Sequence, residues 1–521
     1  MLKSSIIVSI ISLIISVISF ANQIVIAKIF GANKQMDFYL LASSIPTMFG
    51  GIIAAALSYS LTPHFIKNQS ILGDSFSFYF GLFLKKSTFI LILFSTISCS
   101  VYSYFIPVIY PKLNAPEIFQ IRIIAIISWI GFNISVLVSL LTSYYNSKKY
   151  FILPLALNFS PFLISIISTL LLNKYMGVSA VVLGTVVGTT ISFLILIGKI
   201  KNEFILLKDY DKYFSEIYNK YIKYLWYAII AMLCFTIYQS IDSFWAPRLG
   251  TSNLSYLGYC QRIIVAFGTL IVIGPSTVII PRLTKAVLEK REIDFLNDTA
   301  AITKLVIALS SVVAVIVSIL SKQVIRIMFQ RGAFKAGDTN AIAGLLPYMV
   351  NGMVFMLCVV ILFRVLFIKE KGGGAAFIGA ICAVLYFSLS GVLSNSFSVK
   401  GIAYSYSITW IIIFIITINF VFNKNKKILY SKANATFLAK QVIHLILVYF
   451  LVLYLSRLFT LDGGETSLTK VFIFTSLTGV VSFIFYIVCS LFVLKISDVR
   501  ALVFGVLSLV TKSKRLKENY V

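Results

Sequence analysis

The chain has 521 residues, 59% hydrophobic and only 12% charged, where an ordinary soluble domain carries roughly 25% charged residues. That composition excludes a soluble globular enzyme, because a water-facing surface needs charge and a lipid-facing one does not. The formal net charge is +27, but the cations are spread over short loops rather than gathered in one patch, so they read as the bias of a membrane protein and not as a nucleic-acid surface.

Apolar stretches long enough to cross about 30 Å of hydrocarbon fall in chain order at 5–30, 38–64, 86–109, 119–144, 151–173, 178–199, 222–247, 254–281, 304–321, 341–368, 375–394, 399–422, 436–459 and 471–494. In lipid every backbone polar group must be paired within its own segment, so these stretches are helices. The alternating pattern of a membrane barrel is absent. The expected fold is an all-α polytopic membrane protein of about fourteen transmembrane helices.

The first span begins like a signal peptide, with Lys3, an apolar run and Ser19-Phe20-Ala21. The run resumes at Ile24 and reaches Phe30, which predicts one uncleaved helix. With the N-terminus on the cytoplasmic side, about two-thirds of the 45 Lys and Arg lie in inner loops and termini. Most sit in Lys199–Lys223, Arg282–Lys304, Lys424–Lys440 and the tail around Lys512-Ser513-Lys514-Arg515. Both termini are therefore expected in the cytoplasm.

A faint repeat divides the chain. Phe30-Gly31 is followed by Pro63, and Leu249-Gly250 by Pro281 at nearly the same spacing. Each glycine marks a tight outer turn and each proline precedes a basic inner loop. The repeat predicts two six-helix bundles of the same topology, at 1–199 and 222–422, a common transporter plan. Residues 200–221 form a cytoplasmic linker, and 423–521 add two helices and a basic tail. The linker mixes charge with Tyr210, Tyr213, Phe214 and Tyr218, the pattern of an amphipathic helix on the inner surface; Ala501–Val510 has a similar pattern. The six cysteines all fall inside apolar spans and form no C-x-x-C pair, and His64 and His444 are too few and too far apart for a metal centre.

Several segments resemble the MurJ (MviN-type) lipid II flippase family, within the superfamily of multidrug, oligosaccharidyl-lipid and polysaccharide exporters. They are Ile26-Ala27-Lys28-Ile29-Phe30-Gly31-Ala32 followed by Met36-Asp37 and Ile45-Pro46, Gln261-Arg262 followed by Ile280-Pro281-Arg282-Leu283, and Phe329-Gln330-Arg331-Gly332-Ala333-Phe334 followed by Asp338-Thr339. The resemblance implies two bundles around a central cavity. It implies a flippase moving an undecaprenyl-pyrophosphate-linked saccharide, either lipid II or a related cell-envelope polysaccharide precursor, from the inner to the outer leaflet by alternating access. No covalent chemistry, enzyme activity or cofactor is implied; Na⁺ or a proton is the candidate coupling ion. The implied setting is the bacterial cytoplasmic (inner) membrane, with the lipid-linked saccharide, membrane lipids and other envelope-biosynthesis proteins as partners, and no nucleic acid.

The family pattern is not fully kept. Arginines usual on the cavity face of the first helix correspond to Ser16 and Asn22-Gln23, and a further arginine pair to Gly50-Gly51. In the eighth helix an Asp-Arg pair is Gln261-Arg262, and the eleventh helix offers Ser388 and Ser390 where an acid is expected.

Arg262 is the sharpest candidate. An intramembrane arginine faces a cavity or a partner, and its guanidinium can grip a pyrophosphate bidentately or pair with Asp242. Lys28 can act as a point charge for phosphate or snorkel to headgroups. Asn22, Gln23 and Gln261 are neutral groups suited to sugar or phosphate oxygens. Asp242, among the hydroxyls of Gln239-Ser240-Ile241-Asp242-Ser243, can bind Na⁺ or a proton, or pair with Arg262 or Arg248. Asp37 opens the second helix, where an acid complements the macrodipole, and the resemblance adds a gating role. Arg331-Gly332 reads as structural or gating. Gly50-Gly51 and Gly372-Gly373-Gly374 are not phosphate loops, since no strand precedes them; the second reads as an inner turn. Two other readings stand beside the flippase: a cation-coupled multidrug exporter of the same superfamily, which needs Asp242, and a non-transporting envelope scaffold. A membrane glycosyltransferase is excluded by the shortness of the outer loops.

Overall fold

A computed structural model describes residues 2–72, 76–109, 113–148, 150, 152–200, 229, 240–369, 371–458 and 468–490. The expected linker at 200–221, the first part of the seventh span and the basic tail lie essentially outside the described residues. In chain order the helices are α1 (Leu2–Phe30), α2 (Lys34–Leu72), α3 (Phe76–Ile109), α4 (Ala115–Ser147), α5 (Ile152–Leu157), α6 (Ser160–Met176), α7 (Ser179–Ile200) and α8 (Ile241–Trp245). They continue as α9 (Asn253–Leu288), α10 (Glu292–Ile319), α11 (Ser321–Phe329), α12 (Ala336–Ala343), α13 (Leu346–Ile368), α14 (Gly372–Phe397), α15 (Val399–Val421), α16 (Lys426–Leu429), α17 (Lys432–Leu458) and α18 (Leu468–Val488). No strand occurs among the described residues.

Eleven helices among the described residues are long and apolar enough to cross a membrane, and Ile14–Phe30 is a shorter apolar segment. Two further expected spans are the seventh, largely outside the described residues, and the eighth, which is the 36-residue helix α9. Two expectations about boundaries are corrected and one is refined. The span expected at 151–173 stands as Ile152–Met176 but is broken into two helices, α5 and α6, because Pro161 cannot continue a helix and instead begins one. The span at 304–321 starts earlier, at Glu292, where Glu292 and Asp294 favour a helix N-terminus that hydropathy does not register. Gly372-Gly373-Gly374 is the first turn of α14 rather than an inner turn.

The chain forms two compact units, residues 1–255 with 329–338, and residues 256–328 with 339–521. The division therefore passes through α9, just after Ser255. In the first unit, α4 packs against α2, α3 and α7. Its core is aromatic: Tyr144 stacks on Phe80 at 4.2 Å and on Phe76 at 5.6 Å, and Phe65 meets Phe76, Phe80 and Phe83 edge to face. Such pairs add about 0.5–1.5 kcal/mol each beyond area burial. Lipid tails are as apolar as these side chains, so close approach and hydrogen bonding must hold membrane helices together. Helices α6 and α7 show both. Ser160 Oγ lies 2.6 Å from Ser192 Oγ and donates to the Gly188 carbonyl at 2.7 Å.

In the second unit, α15 packs on α13 and α14, α10 on α13, and α17 and α18 on α10. The last contact carries a buried polar chain. Gln441 donates to Ser311 at 2.8 Å, Tyr486 donates to Gln441 at 2.9 Å, and His444 stacks on Tyr486 at 4.4 Å.

A side chain at Gly188 would stand 2.5 Å from the Ser160 carbonyl oxygen, whereas Gly198 meets nothing within 4 Å. Gly188→Leu is expected to separate α6 from α7 and cost about 1–3 kcal/mol. Thermal melting of the detergent-purified protein should show a lowered Tm for Gly188→Leu and an unchanged one for Gly198→Leu.

Candidate functional site

Four sequence candidates of the first unit, Lys28, Asp37, Arg331 and Gly332, gather around one short connection. Helix α1 ends at Phe30 and α2 begins at Lys34, leaving Gly31-Ala32-Asn33 between them. Gly31 has φ +63°, a left-handed conformation natural to glycine, and its N–H donates to the Ala27 carbonyl at 2.9 Å, closing α1. Asn33 caps α2, its side-chain oxygen accepting the Met36 N–H at 3.1 Å.

The far end of this connection is held by Asp37. Its carboxylate, 6% exposed, accepts the Ser255 N–H at 2.8 Å, the Ser255 hydroxyl and the Ser252 N–H. Asp37 lies in the first turn of α2, as expected of an acid that complements the macrodipole, but the cap of that helix is Asn33, and the Asp37 carboxylate caps the start of α9 instead. The Ser255 N–H belongs to the first turn of α9, where backbone donors have no intrahelical acceptor. The preceding turn is shaped to present these donors, with Gly250 at φ +140° and Ser252 at φ +67°.

The near end is held by the loop after α11. The Ala333 N–H donates to the Lys28 carbonyl at 2.8 Å, using one of the orphan acceptors of the last turn of α1. Gly332, at φ +61°, lies directly over that carbonyl, where a Cβ would overlap the oxygen and stand 3.0 Å from Lys28 Cγ. A Cβ at Gly31 would stand 2.6 Å from the Ala333 oxygen. Phe334, 2% exposed, packs against Phe329 at 5.9 Å and anchors the loop. The three expected gating residues Asp37, Arg331 and Gly332 therefore belong to segments that clasp the two ends of one turn. Ser252, Ser255 and Ala333 complete the clasp; the Ser-x-x-Ser spacing after Gly250 was the available signal, since it straddles a helix start.

Deeper in α1, Asn22 is buried at 3% exposure and Gln23 is half-buried, and the Oδ1 of one and Oε1 of the other have no hydrogen-bond partner among the described residues. Lys28 has an exposed side chain. Asp242, 3% exposed, lies in the first turn of α8, next to Ser240, whose hydroxyl donates to the Met48 sulfur at 3.2 Å. Among the described residues no group of three His, Cys, Asp or Glu could hold a metal ion.

Gln261 and Arg262 lie on α9 in the second unit, so the expected substrate-binding residues divide between the two units. The Arg262 guanidinium sits over the Tyr259 ring at 4.8 Å and joins no salt bridge among the described residues. Its Nη1 is buried without a hydrogen-bond partner. A buried guanidinium nitrogen left unpaired is costly, and the arrangement is chemically ready for an anion.

The family model for the lipid II flippase MurJ matches residues 26–474. The chain belongs to the lipid II flippase MurJ family. It is 26% identical over 431 residues to the probable lipid II flippase MurJ of Buchnera aphidicola subsp. Acyrthosiphon pisum (strain APS), covering 79% of this chain and 82% of that protein. Among solved structures, the lipid II flippase MurJ in an inward closed conformation shares the fold with a TM-score of 0.73 at 18% identity, covering 94% of this chain and 98% of the other. An inward-facing multidrug resistance MATE family transporter of the MOP superfamily gives 0.65 at 10% identity, covering 80% and 96%. As a member of the MurJ family the chain is a multi-pass inner-membrane transporter and not an enzyme.

Two outcomes are expected at the clasp. Asp37→Ala strands the Ser252 and Ser255 donors at about 1–3 kcal/mol each, so hydrogen exchange of the peptide spanning 250–256 should accelerate by at least tenfold. Gly332→Ala cannot keep both its φ and its contact with Lys28, at about 1–3 kcal/mol; limited proteolysis should cut 329–335 faster than in the parent protein.

Proposed function

We propose that this protein moves an undecaprenyl-pyrophosphate-linked saccharide from the inner to the outer leaflet by alternating access, with both termini in the cytoplasm. The observation that carries the reading is the Arg262 guanidinium on a membrane helix, whose buried Nη1 has no hydrogen-bond partner and which joins no salt bridge among the described residues. A cation held in a hydrophobic segment without an acid beside it is tolerated when its counter-ion is the ligand. The planar fork of arginine matches two phosphate oxygens at once. The free oxygens of Asn22 and Gln23 accept hydrogen bonds, which suits saccharide hydroxyls better than phosphate. Lys28 adds a point charge beside the clasp, and Gln261 a further neutral group. Family membership supports movement of a lipid-linked precursor; the identity of the saccharide is part of the proposal.

In this reading the clasp at Gly31–Asn33 is the outer gate. Outward opening requires the Asp37 bonds to Ser252 and Ser255, or the Ala333 bond to Lys28, to exchange for bonds to water. Each is worth about 0.5–3 kcal/mol net, so a ligand with a differential affinity of a few kcal/mol suffices to shift the equilibrium. Asp242 is the proposed cation site, taking Na⁺ or a proton. A drug-exporter reading would place the driving ion at Asp242 as well, but has no use for an unpaired Arg262.

Arg262→Ala is expected to fold, with an unchanged melting temperature, and to lose transport of the lipid-linked saccharide in proteoliposomes by at least 100-fold. Arg262→Lys should retain a fraction, since it keeps the charge and loses the fork. Parent-level transport by Arg262→Ala would overturn the assignment.

A further inference from the structure

A cleft of about 290 Å³ lies wholly within the second unit, bounded by Tyr348, Asn351, Leu393, Phe397, Tyr404 and Ser407. It sits at one end of three helices. Asn351 is the sixth residue of α13 and Tyr404 the sixth of α15, each about 8 Å from its helix start at 1.5 Å per residue. Phe397 is the last residue of α14. On the proposed topology this end meets the outer headgroup zone, where aromatic residues with polar tips concentrate.

The lining is mostly aromatic and aliphatic, with one amide and one serine hydroxyl. Tyr404 is central, with Tyr348 edge-on at 4.6 Å and Phe397 edge-on at 5.5 Å. The rings are held in place: Ser407 donates its hydroxyl to the Tyr348 carbonyl, and the backbones of α13 and α15 meet closely where Gly352 faces Ser407. Asn351 is exposed and lies one turn from Tyr348, and its amide has no hydrogen-bond partner among the described residues. No Lys, Arg, Asp or Glu bounds the cleft.

These features select among occupants. A hydrocarbon chain would fill the aromatic walls but would leave the amide unused. A phosphate would need a cation, and the lining supplies none. A pyranose ring fits both requirements: its C–H face lies on an aromatic ring, and its hydroxyls bond to a donor–acceptor amide. A volume near 300 Å³ is at the small end of ligand pockets, suited to one or two rings rather than a long chain.

We propose that this cleft is a saccharide-binding site, taking one neutral pyranose ring of a glycan headgroup at the outer surface by stacking on Tyr404 and hydrogen bonding to Asn351. The cleft is read from its own lining; only the suggestion that the ring belongs to the exported glycolipid rests on the flippase reading. Such a site would hold the headgroup after it leaves the transport path and before it diffuses away in the outer leaflet.

The test uses the full chain in nanodiscs of phosphatidylglycerol alone, with free glucose and free N-acetylglucosamine as probes. Saturation-transfer NMR should show transfer to ring C–H protons of at least one sugar. Asn351→Ala and Tyr404→Ala should each weaken binding at least fivefold, with unchanged melting temperatures, and Phe377→Ala on the lipid-facing side of α14 should not. Asn351→Ala changes an exposed side chain and keeps the test open if Tyr404→Ala misfolds. Absence of transfer from both sugars, or transfer unaffected by Asn351→Ala, would overturn the proposal. Loss of transfer when phosphatidylethanolamine is added would also overturn it, because the occupant would then be a lipid. Sugar binding that survives alongside parent-level transport by Arg262→Ala would sink the Arg262 assignment and leave the cleft standing.

Discussion

The hydrogen bonds that Asp37 accepts from Ser252 and Ser255 answer a problem every membrane helix poses at its ends. Within a helix the backbone pairs with itself, but the first N–H groups and last C=O groups have no partner, and near hydrocarbon water is a poor substitute. In the first unit these ends satisfy one another. The carboxylate near the start of α2 serves the start of α9, and a loop amide from Ala333 serves the end of α1. Segments more than two hundred residues apart in sequence are thereby tied to a three-residue turn. In the proposed mechanism, the same bonds that complete the fold are the ones that outward opening exchanges.

Elsewhere the helices are joined by small residues and short polar links rather than by apolar burial alone. Ser160, Gly188 and Ser192 bring α6 and α7 together, and Tyr145 donates to the Leu196 carbonyl across α4 and α7. In the second unit Ser311, Gln441 and Tyr486 form one polar chain, with His444 stacked on Tyr486, within an apolar cluster of Val312, Val448 and Val452. This chain pins the C-terminal pair α17 and α18 to α10. A one-residue slip of either helix would leave several buried groups unpaired, so the network specifies register more than it adds stability.

The likeness to both MurJ and a MATE transporter shows how little the fold by itself says about cargo. Cargo has to be read from the groups the helices offer. The N-terminal unit presents amide oxygens at Asn22 and Gln23 and a buried acid at Asp242, and α9 presents the guanidinium of Arg262.

The sequence by itself determined the membrane class, the helical architecture and the positions of most spans, because burial in lipid imposes a long apolar period that no soluble fold needs. It also determined the family, through the segments around Lys28, Arg262 and Arg331, and it marked Asp37 and Gly332 for attention. Helix breaks were less legible. Hydropathy ran through Asn158-Phe159 before Pro161, and it overlooked the polar first turn at Glu292, because it measures transfer to lipid and not backbone pairing. Only the tertiary structure decided what Asp37 holds, what lies over the Lys28 carbonyl and which side chains wall the cleft at Tyr404. Those outcomes depend on directional contacts between distant segments, and a one-dimensional pattern of apolar and polar residues carries no direction.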